Sequence, residues 1–412
     1  MKTREQILDE IVNAYLESGD FNGFFVHGES YLPEQLQIVR QLILDGSIEV
    51  VNENDFVNPN IRPWPTQRSR EDQVAEFVGE LAPYVCLYPT AQVLTVRPEV
   101  ASMTDEPYRQ AMASGRGQLE LAFFEIAVLE QYRNDPRFHY SFVDCEVFLG
   151  VSDDAYLDEM EPDRDKIGSL RVGLAYDVTS VRSDEVKRFV CSFFRDLADL
   201  TPAHQQRWKT FEIERGENDR PHAMWWAMMM GHMPDSIGPF QKIQLEMEAI
   251  NELFTLGYGV KIFKETQPPR EWGWVLRPSS NEWHQFVLLT DKLLSENIQH
   301  SSLTSAGIDR NDADDEPMGS LQRLELFVVQ SGLTKVQAVA LLAPLRSIRT
   351  ERQKPAHKLV THTTDPTLFA HQRDVLVDIT RSLMGLRDLL MKHPSACDWE
   401  PDEVIEEKWY TV

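Results

Sequence analysis

Along residues 1–56, Ile7, Ile11, Tyr15 and Leu16 recur at helical spacing. Gly19-Asp20-Phe21-Asn22-Gly23 breaks the run, and Leu36, Ile38, Val39, Leu42 and Ile43 resume it. Gly46 stops this second helix ahead of the β-rich Ile48-Glu49-Val50-Val51, and Asn52 to Asp55 forms a turn. Helix, turn, helix, strand is the order of elements in a small winged-helix unit. Its second helix carries only Arg40 as a cation, so a protein-contact role stands ahead of DNA reading. Residues 57–75 are polar and contain Pro59, Pro63 and Pro65, the composition of a linker. Beyond them, β-rich runs at 93–96, 119–128, 140–149 and 170–176 alternate with helical stretches at 184–199 and 240–256. The pattern predicts a central mixed α+β domain over 57–277.

After residue 278 the pattern becomes helical. Ser279-Ser280-Asn281-Glu282 has the form of a capping box, followed at helical spacing by Phe286, Val287, Leu293, Leu294 and Ile298. An acidic loop from Asp309 to Glu316 leads to a helix over 321–329 that stops at Gly332. Thr334-Lys335-Val336-Gln337 repeats the capping logic and opens a helix with Ala338, Leu341, Leu342, Leu345 and Ile348 on one face. Pro355 ends that helix, because a proline drives the residue before it out of the α region. A last helix over 367–391 carries Leu368, Val375, Leu376, Ile379, Leu383, Leu386 and Leu390. Four amphipathic helices with short connections predict an all-α bundle over 278–395, with residues 396–412 as an exposed acidic tail. The expected fold is therefore a multi-domain α+β chain ending in a four-helix bundle.

Charge narrows the functional classes. The 412 residues include 41 Lys and Arg against 66 Asp and Glu, a formal charge of −25. Broad wrapping of nucleic acid needs cations along the phosphate track, so this balance excludes it and leaves room for one small basic site. No stretch approaches the length of an apolar membrane span, and charges occupy the N-terminal positions where a signal peptide needs its apolar run. Cys86, Cys145, Cys191 and Cys397 are far apart, the spacing of reduced thiols rather than a disulfide or zinc framework. The expectation is a cytoplasmic protein without membrane association or a required cofactor.

The densest basic run is Arg346-Ser347-Ile348-Arg349-Thr350-Glu351-Arg352-Gln353-Lys354-Pro355-Ala356-His357-Lys358. Arg346, Arg349 and Arg352 are three residues apart, which lines them along one helix side. An imidazole that titrates near neutrality, set among guanidinium groups, suits phosphodiester cleavage. The histidine moves the proton of a hydroxyl, and an arginine holds the non-bridging oxygens as charge develops. The same cluster has a structural reading, since cations at a helix C-terminus complement its dipole.

Arg352 to His357 is an arginine, four intervening residues and a histidine. This resembles the Arg/His signature of the HEPN superfamily, small helical bundles of RNases, toxins and phage-defence proteins. Where that motif often has Asn, Asp or His after the arginine, this chain has Gln353. Residues 279–394 also resemble the C-terminal half of an uncharacterised bacterial protein type, in which a segment similar to Phe286–Ile298 precedes the Arg/His run. The resemblance implies Arg352 and His357 as the catalytic pair of a metal-independent endoribonuclease that leaves a 2′,3′-cyclic phosphate. It implies a homodimer through the bundle, RNA contacts from Arg346, Arg349, Lys354 and Lys358, and polar support from Asp291, Glu296 and Asn297. Leu359 stands where some family toxins carry a modifiable tyrosine, so an antitoxin or regulatory partner would act by another route. Since many HEPN domains only bind, a non-catalytic nucleic-acid-binding or protein-interaction module is the alternative.

Other features point to packing. His222 to His232 frames a Met- and Trp-rich run that reads as core or interface, as do Trp272, Trp274 and Trp283. His362 and His371 lack the spacing of a metal pair and read as surface positions. Trp409 and Tyr410 in the acidic tail form a candidate docking peptide.

Overall fold

The computed structural model describes residues 2–26, 33–78, 84–151, 170–233, 236–353, 362–401, 403–406 and 408–410. The protein is mixed α+β, about 48% helix and 16% strand, with a helical C-terminal region. The chain forms two compact units, one from residues 1–128, 150–171 and 191–215, the other from 129–149, 172–190 and 216–412.

The first unit opens with α1 (Arg4–Glu17), β1 (Phe24–Val26), α2 (Pro33–Leu44), β2 (Ile48–Asn52), α3 (Arg70–Val78) and β3 (Val85–Pro89). Thr3 and Gln6 exchange side-chain and backbone hydrogen bonds in a full capping box, which sets where α1 begins. The sheet order is β1-β3-β2, with both pairings antiparallel. Every residue of β3 is buried, because it is central in this small sheet. The core joins Ile7, Ile11, Val39 and Leu42 to Phe77, Val85 and Leu87, so it draws on residues beyond position 56. Each such side chain contributes roughly 1.5–3 kcal/mol through burial. The span 57–75, read as a linker, carries Arg62, almost wholly buried and paired with Glu49 at 2.9 Å. Further along, β4 (Leu121–Phe124) pairs antiparallel with Glu212–Ile213, and Phe124 meets Trp208 edge-on at 4.8 Å.

Two local expectations fail. Val93 and Leu94 lie in the helical turn Ala91–Leu94 instead of a strand. The stretch 184–199 is not a continuous helix; it contains the strand Arg188–Phe193 followed by the short helix Phe194–Ala198. Val190, Cys191, Ser192 and Phe193 are all buried, and an unbroken buried run has no periodicity by which to tell strand from helix.

The strands β5 (Phe138–Val143), β6 (Glu146–Val151), β7 (Leu170–Asp177) and β8 (Arg188–Phe193) lie in that order, residues 150–151, 170–171 and 191–193 belonging to the first unit and the rest to the second, where β9 (Asp219–Pro221) pairs antiparallel with β7. α4 (Ala223–Met229) follows, capped by the His222 ring nitrogen, which accepts from Met224 N–H at 3.3 Å. The strand β10 (Ser236–Ile237) precedes α5 (Pro239–Tyr258), which ends at Gly259 in the left-handed region at φ 75°. Then come α6 (Ser280–Leu293), α7 (His300–Ser305), α8 (Ser320–Gln330), α9 (Lys335–Gln353) and α10 (Leu368–Leu390). α9 packs against α6, α8 and α10, and α10 packs along α5, an element the sequence pattern assigns to the central domain.

The helix ends follow local chemistry. Ser279 Oγ accepts Glu282 N–H, while the Glu282 carboxylate turns to Leu276 N–H at 2.7 Å and Arg133 at 2.9 Å. Thr334 and Gln337 complete their box, with Thr334 N–H donating to Gln337 Oε1 at 2.9 Å and Gln337 N–H to Thr334 Oγ1 at 3.3 Å. Residues 396–412 are not wholly exposed. β11 (Lys408–Trp409) pairs parallel with β10, Ile405 is buried, and Lys242 Nζ donates to the Ile405 carbonyl. Lys242 also meets Glu246 at 3.1 Å, and Arg387 reaches the same carboxylate at 3.3 Å, a buried triad along α5 and α10. Among the described residues, no helix is long and apolar enough to cross a membrane.

Candidate functional site

The end of α9 places its cations beside two other helices. Arg346, Arg349 and Arg352 follow one another at three-residue spacing, and each meets a carboxylate. Arg346 pairs with Glu325 on α8. Arg349 Nε lies 3.4 Å from Asp291 Oδ1, and its Nη1 lies 3.4 Å from Ser320 Oγ at the start of α8. Arg352 Nη1 donates to Asp291 Oδ2 at 2.6 Å and also to Glu296. Asp291 is fully buried on α6, whereas the Arg352 side chain keeps 31% of its surface exposed. One interior carboxylate therefore anchors two guanidinium groups at the surface.

The electrostatics follow from that arrangement. Hydrogen bonds to Glu296 first and Asp291 second push the Arg352 pKa above its ordinary value, so its charge is permanent. Cations near the last turn of α9 also oppose the partial negative charge of its terminal carbonyls. Arg352 makes no hydrogen bond through Nε or Nη2 among the described residues, which leaves that edge of the planar fork for an oxyanion. Ser320 Oγ donates to the Ser295 carbonyl at 2.7 Å and thereby fixes the helix start beside Arg349.

Asn297 does something else. Its amide donates to Leu293 O at 2.8 Å and to Glu265 O, and its Oδ1 accepts Glu265 N–H at 3.0 Å. It pins the segment at 264–265 and does not touch the arginines. The structure thus brings together Asp291, Glu296, Arg349 and Arg352, puts Arg346 on Glu325, and holds Asn297 apart. His357, Lys354 and Lys358 lie outside the described residues, as does Leu359.

Sequence reasoning did not single out Ser320 or Glu325. The five cations over 346–358 demand counter-charge from neighbouring helices, and Glu325 is an acid amid the apolar residues of α8; that mismatch was the available signal. His371, exposed at the start of α10, faces Glu351 of α9 at 3.8 Å and lies against Trp283 with ring centres 4.7 Å apart. The Glu351 carboxylate raises its pKa. Trp272, Trp274 and Trp283 are buried, with Trp272 Nε1 donating to Thr290 Oγ1 and Trp274 Nε1 to the Asp144 carbonyl, so they hold the interior together. Among the described residues, no three His, Cys, Asp or Glu side chains gather as a metal site requires.

Compared with protein families, curated proteins and solved structures, the chain matches none.

Proposed function

We propose that the helical C-terminal region is a HEPN-like four-helix domain and a metal-independent endoribonuclease of the toxin or phage-defence type, working in the cytoplasm. The observation that carries this reading is the convergence of Arg349 and Arg352 on the buried Asp291 at the position where the Arg/His run begins, with Arg352 still part-exposed. In the reaction, a ribose 2′-hydroxyl attacks the adjacent phosphorus and expels the 5′-oxygen, leaving a 2′,3′-cyclic phosphate. His357 takes or returns the proton, and Arg352 stabilises the charge that builds on the non-bridging oxygens. Arg346, Arg349, Lys354 and Lys358 guide the RNA backbone. Two copies pair through the helical region, and the N-terminal winged-helix-like unit recognises a trigger or a regulatory partner.

A second reading has its own support. Arg346, Arg349 and Arg352 each already face a carboxylate, as expected of a helix end that organises a non-catalytic binding module. The two separate in one experiment. The full chain, Arg352→Ala and His357→Ala are incubated with labelled RNA in EDTA. The nuclease reading expects cyclic-phosphate ends from the parent and a loss of about a hundredfold or more in each variant. Equal cleavage by all three, or none by the parent dimer, overturns it in favour of the binding module.

A further inference from the structure

A cavity of about 570 Å³ lies within the second unit. It falls inside the size range of small-molecule sites. Its floor is the β5–β6 hairpin turn, where Asp144 adopts φ 52°, a region that Asp tolerates better than most residues. The Asp144 carboxylate accepts Phe240 N–H at 2.9 Å and Gln241 N–H at 3.2 Å, capping α5 from another element. Gly238 permits this approach, since a Cβ there would sit 2.0 Å from Asp144 Oδ1. Asp144 lines the cavity, and among the described residues no cation pairs with its carboxylate. Burial pushes the Asp144 pKa up to about 6 despite both hydrogen bonds, so its surroundings under-compensate the negative charge.

Much of the remaining wall is apolar or aromatic, with Ser141, Gln241 and Gln244 as neutral polar members. Met224 and Met228 are half-buried, and Met233 is 92% exposed at the rim. Flexible thioethers adapt to the shape of an occupant. Trp272 and Phe240 form an edge-to-face pair at 4.9 Å, and Tyr410 closes the side made by the C-terminal segment. Among the described residues the one cation in the lining is Arg270, which directs its guanidinium to the carbonyls of Phe138 at 2.9 Å and Arg133 at 3.0 Å and lies 3.3 Å from Glu271. Glu146 adds a second acid to the lining. The cavity therefore favours positive charge at one end and apolar bulk along the rest.

We propose that this cavity binds a small organic amine, its ammonium against Asp144 and its apolar body along the Met224, Met228 and Trp272 wall. The site shares no residue with the Asp291–Arg352 cluster, so binding and RNA cleavage fail independently. The test uses phenylbutylamine and phenylbutyrate, which share a body and differ in charge, titrated calorimetrically into the full chain. Saturable one-to-one binding of the amine, about tenfold or more tighter than the acid, is expected. Asp144→Asn keeps one of the two cap hydrogen bonds and a residue that tolerates this backbone, and, its fold checked by its melting curve, should weaken the amine about tenfold while leaving the acid unchanged or improved. Met228→Trp fills the cavity and should abolish binding, its fold being checked by its melting curve. No saturation by the amine at millimolar concentration, equal affinity for the acid, or unchanged amine binding by folded Met228→Trp overturns the proposal. If Met228→Trp does not fold, the Asp144→Asn titration decides alone.

Discussion

Asp291 carries two guanidinium groups on one carboxylate with no surface of its own exposed. Replacing it by Asn keeps the volume and removes the charge, leaving Arg349 and Arg352 without their interior partner. Breaking a wholly buried pair costs several kcal/mol, but both arginines are about a third exposed and water screens the loss, so Asp291→Asn should destabilise by about 2 kcal/mol in urea unfolding. The same variant should lower RNA cleavage, because Arg352 then keeps only the exposed Glu296. A variant as stable and as active as the parent would remove Asp291 from the site. The arginines were legible in the sequence because a basic run in an acidic chain stands out locally. Their pairing was legible only in part. Asp291 and Glu296 do lie beside Arg352, whereas Asn297, one residue further along, turns to Glu265. Spacing along one helix does not say which side chain a neighbouring element claims.

At the scale of elements, the sequence was most readable where hydrogen bonds are local. The helices opened by Ser279 and Thr334 begin where their side chains cap the backbone, because capping partners lie within one turn. The segments 93–96 and 184–199 were misread because their fate depends on what packs on them from far along the chain. α9 adds a feature of its own, since it runs through Pro344 and ends at Gln353. Pro344 has no N–H for the Ala340 carbonyl and its ring crowds the preceding turn. Pro344→Ala should therefore stabilise the protein, by up to about 3 kcal/mol, read as a rise in the urea midpoint with unchanged slope. It should also shift the register of the arginines that follow, so cleavage should fall even as stability rises. A destabilised Pro344→Ala would mean that α10 and α6 are packed to a helix bent at this point.

For the whole molecule, the two compact units are assembled from alternating pieces of chain, while the pattern of hydrophobic positions suggested consecutive domains. Periodicity reports a residue's neighbours along an element and is blind to strands that leave and return, as β7 and β8 do. Stability against pH is likewise a property of the assembly, and in the second unit two buried groups act in opposite senses. Burial lowers the His222 pKa to about 4 from 6.5, so the folded state disfavours its protonation. That contribution is present above pH 6.5 and is lost as pH falls toward 4, about 2 kcal/mol of it between pH 7 and 5. Asp144, raised from 3.8 to about 6, works in reverse. The folded state binds its proton more readily than the unfolded chain does, so acidification over the same range returns about 1 kcal/mol. Between pH 7 and 5 these two contributions therefore largely offset each other. His222→Phe removes the opposing group and, although the loss of the α4 cap lowers stability at pH 7 by about 1 kcal/mol, should grow more stable on acidification. Asp144→Asn should show the opposite slope, weakening as pH falls. Urea unfolding of the three proteins at pH 7 and 5 reads all the slopes, and parallel behaviour of the two variants would mean that neither group titrates in its burial-shifted range.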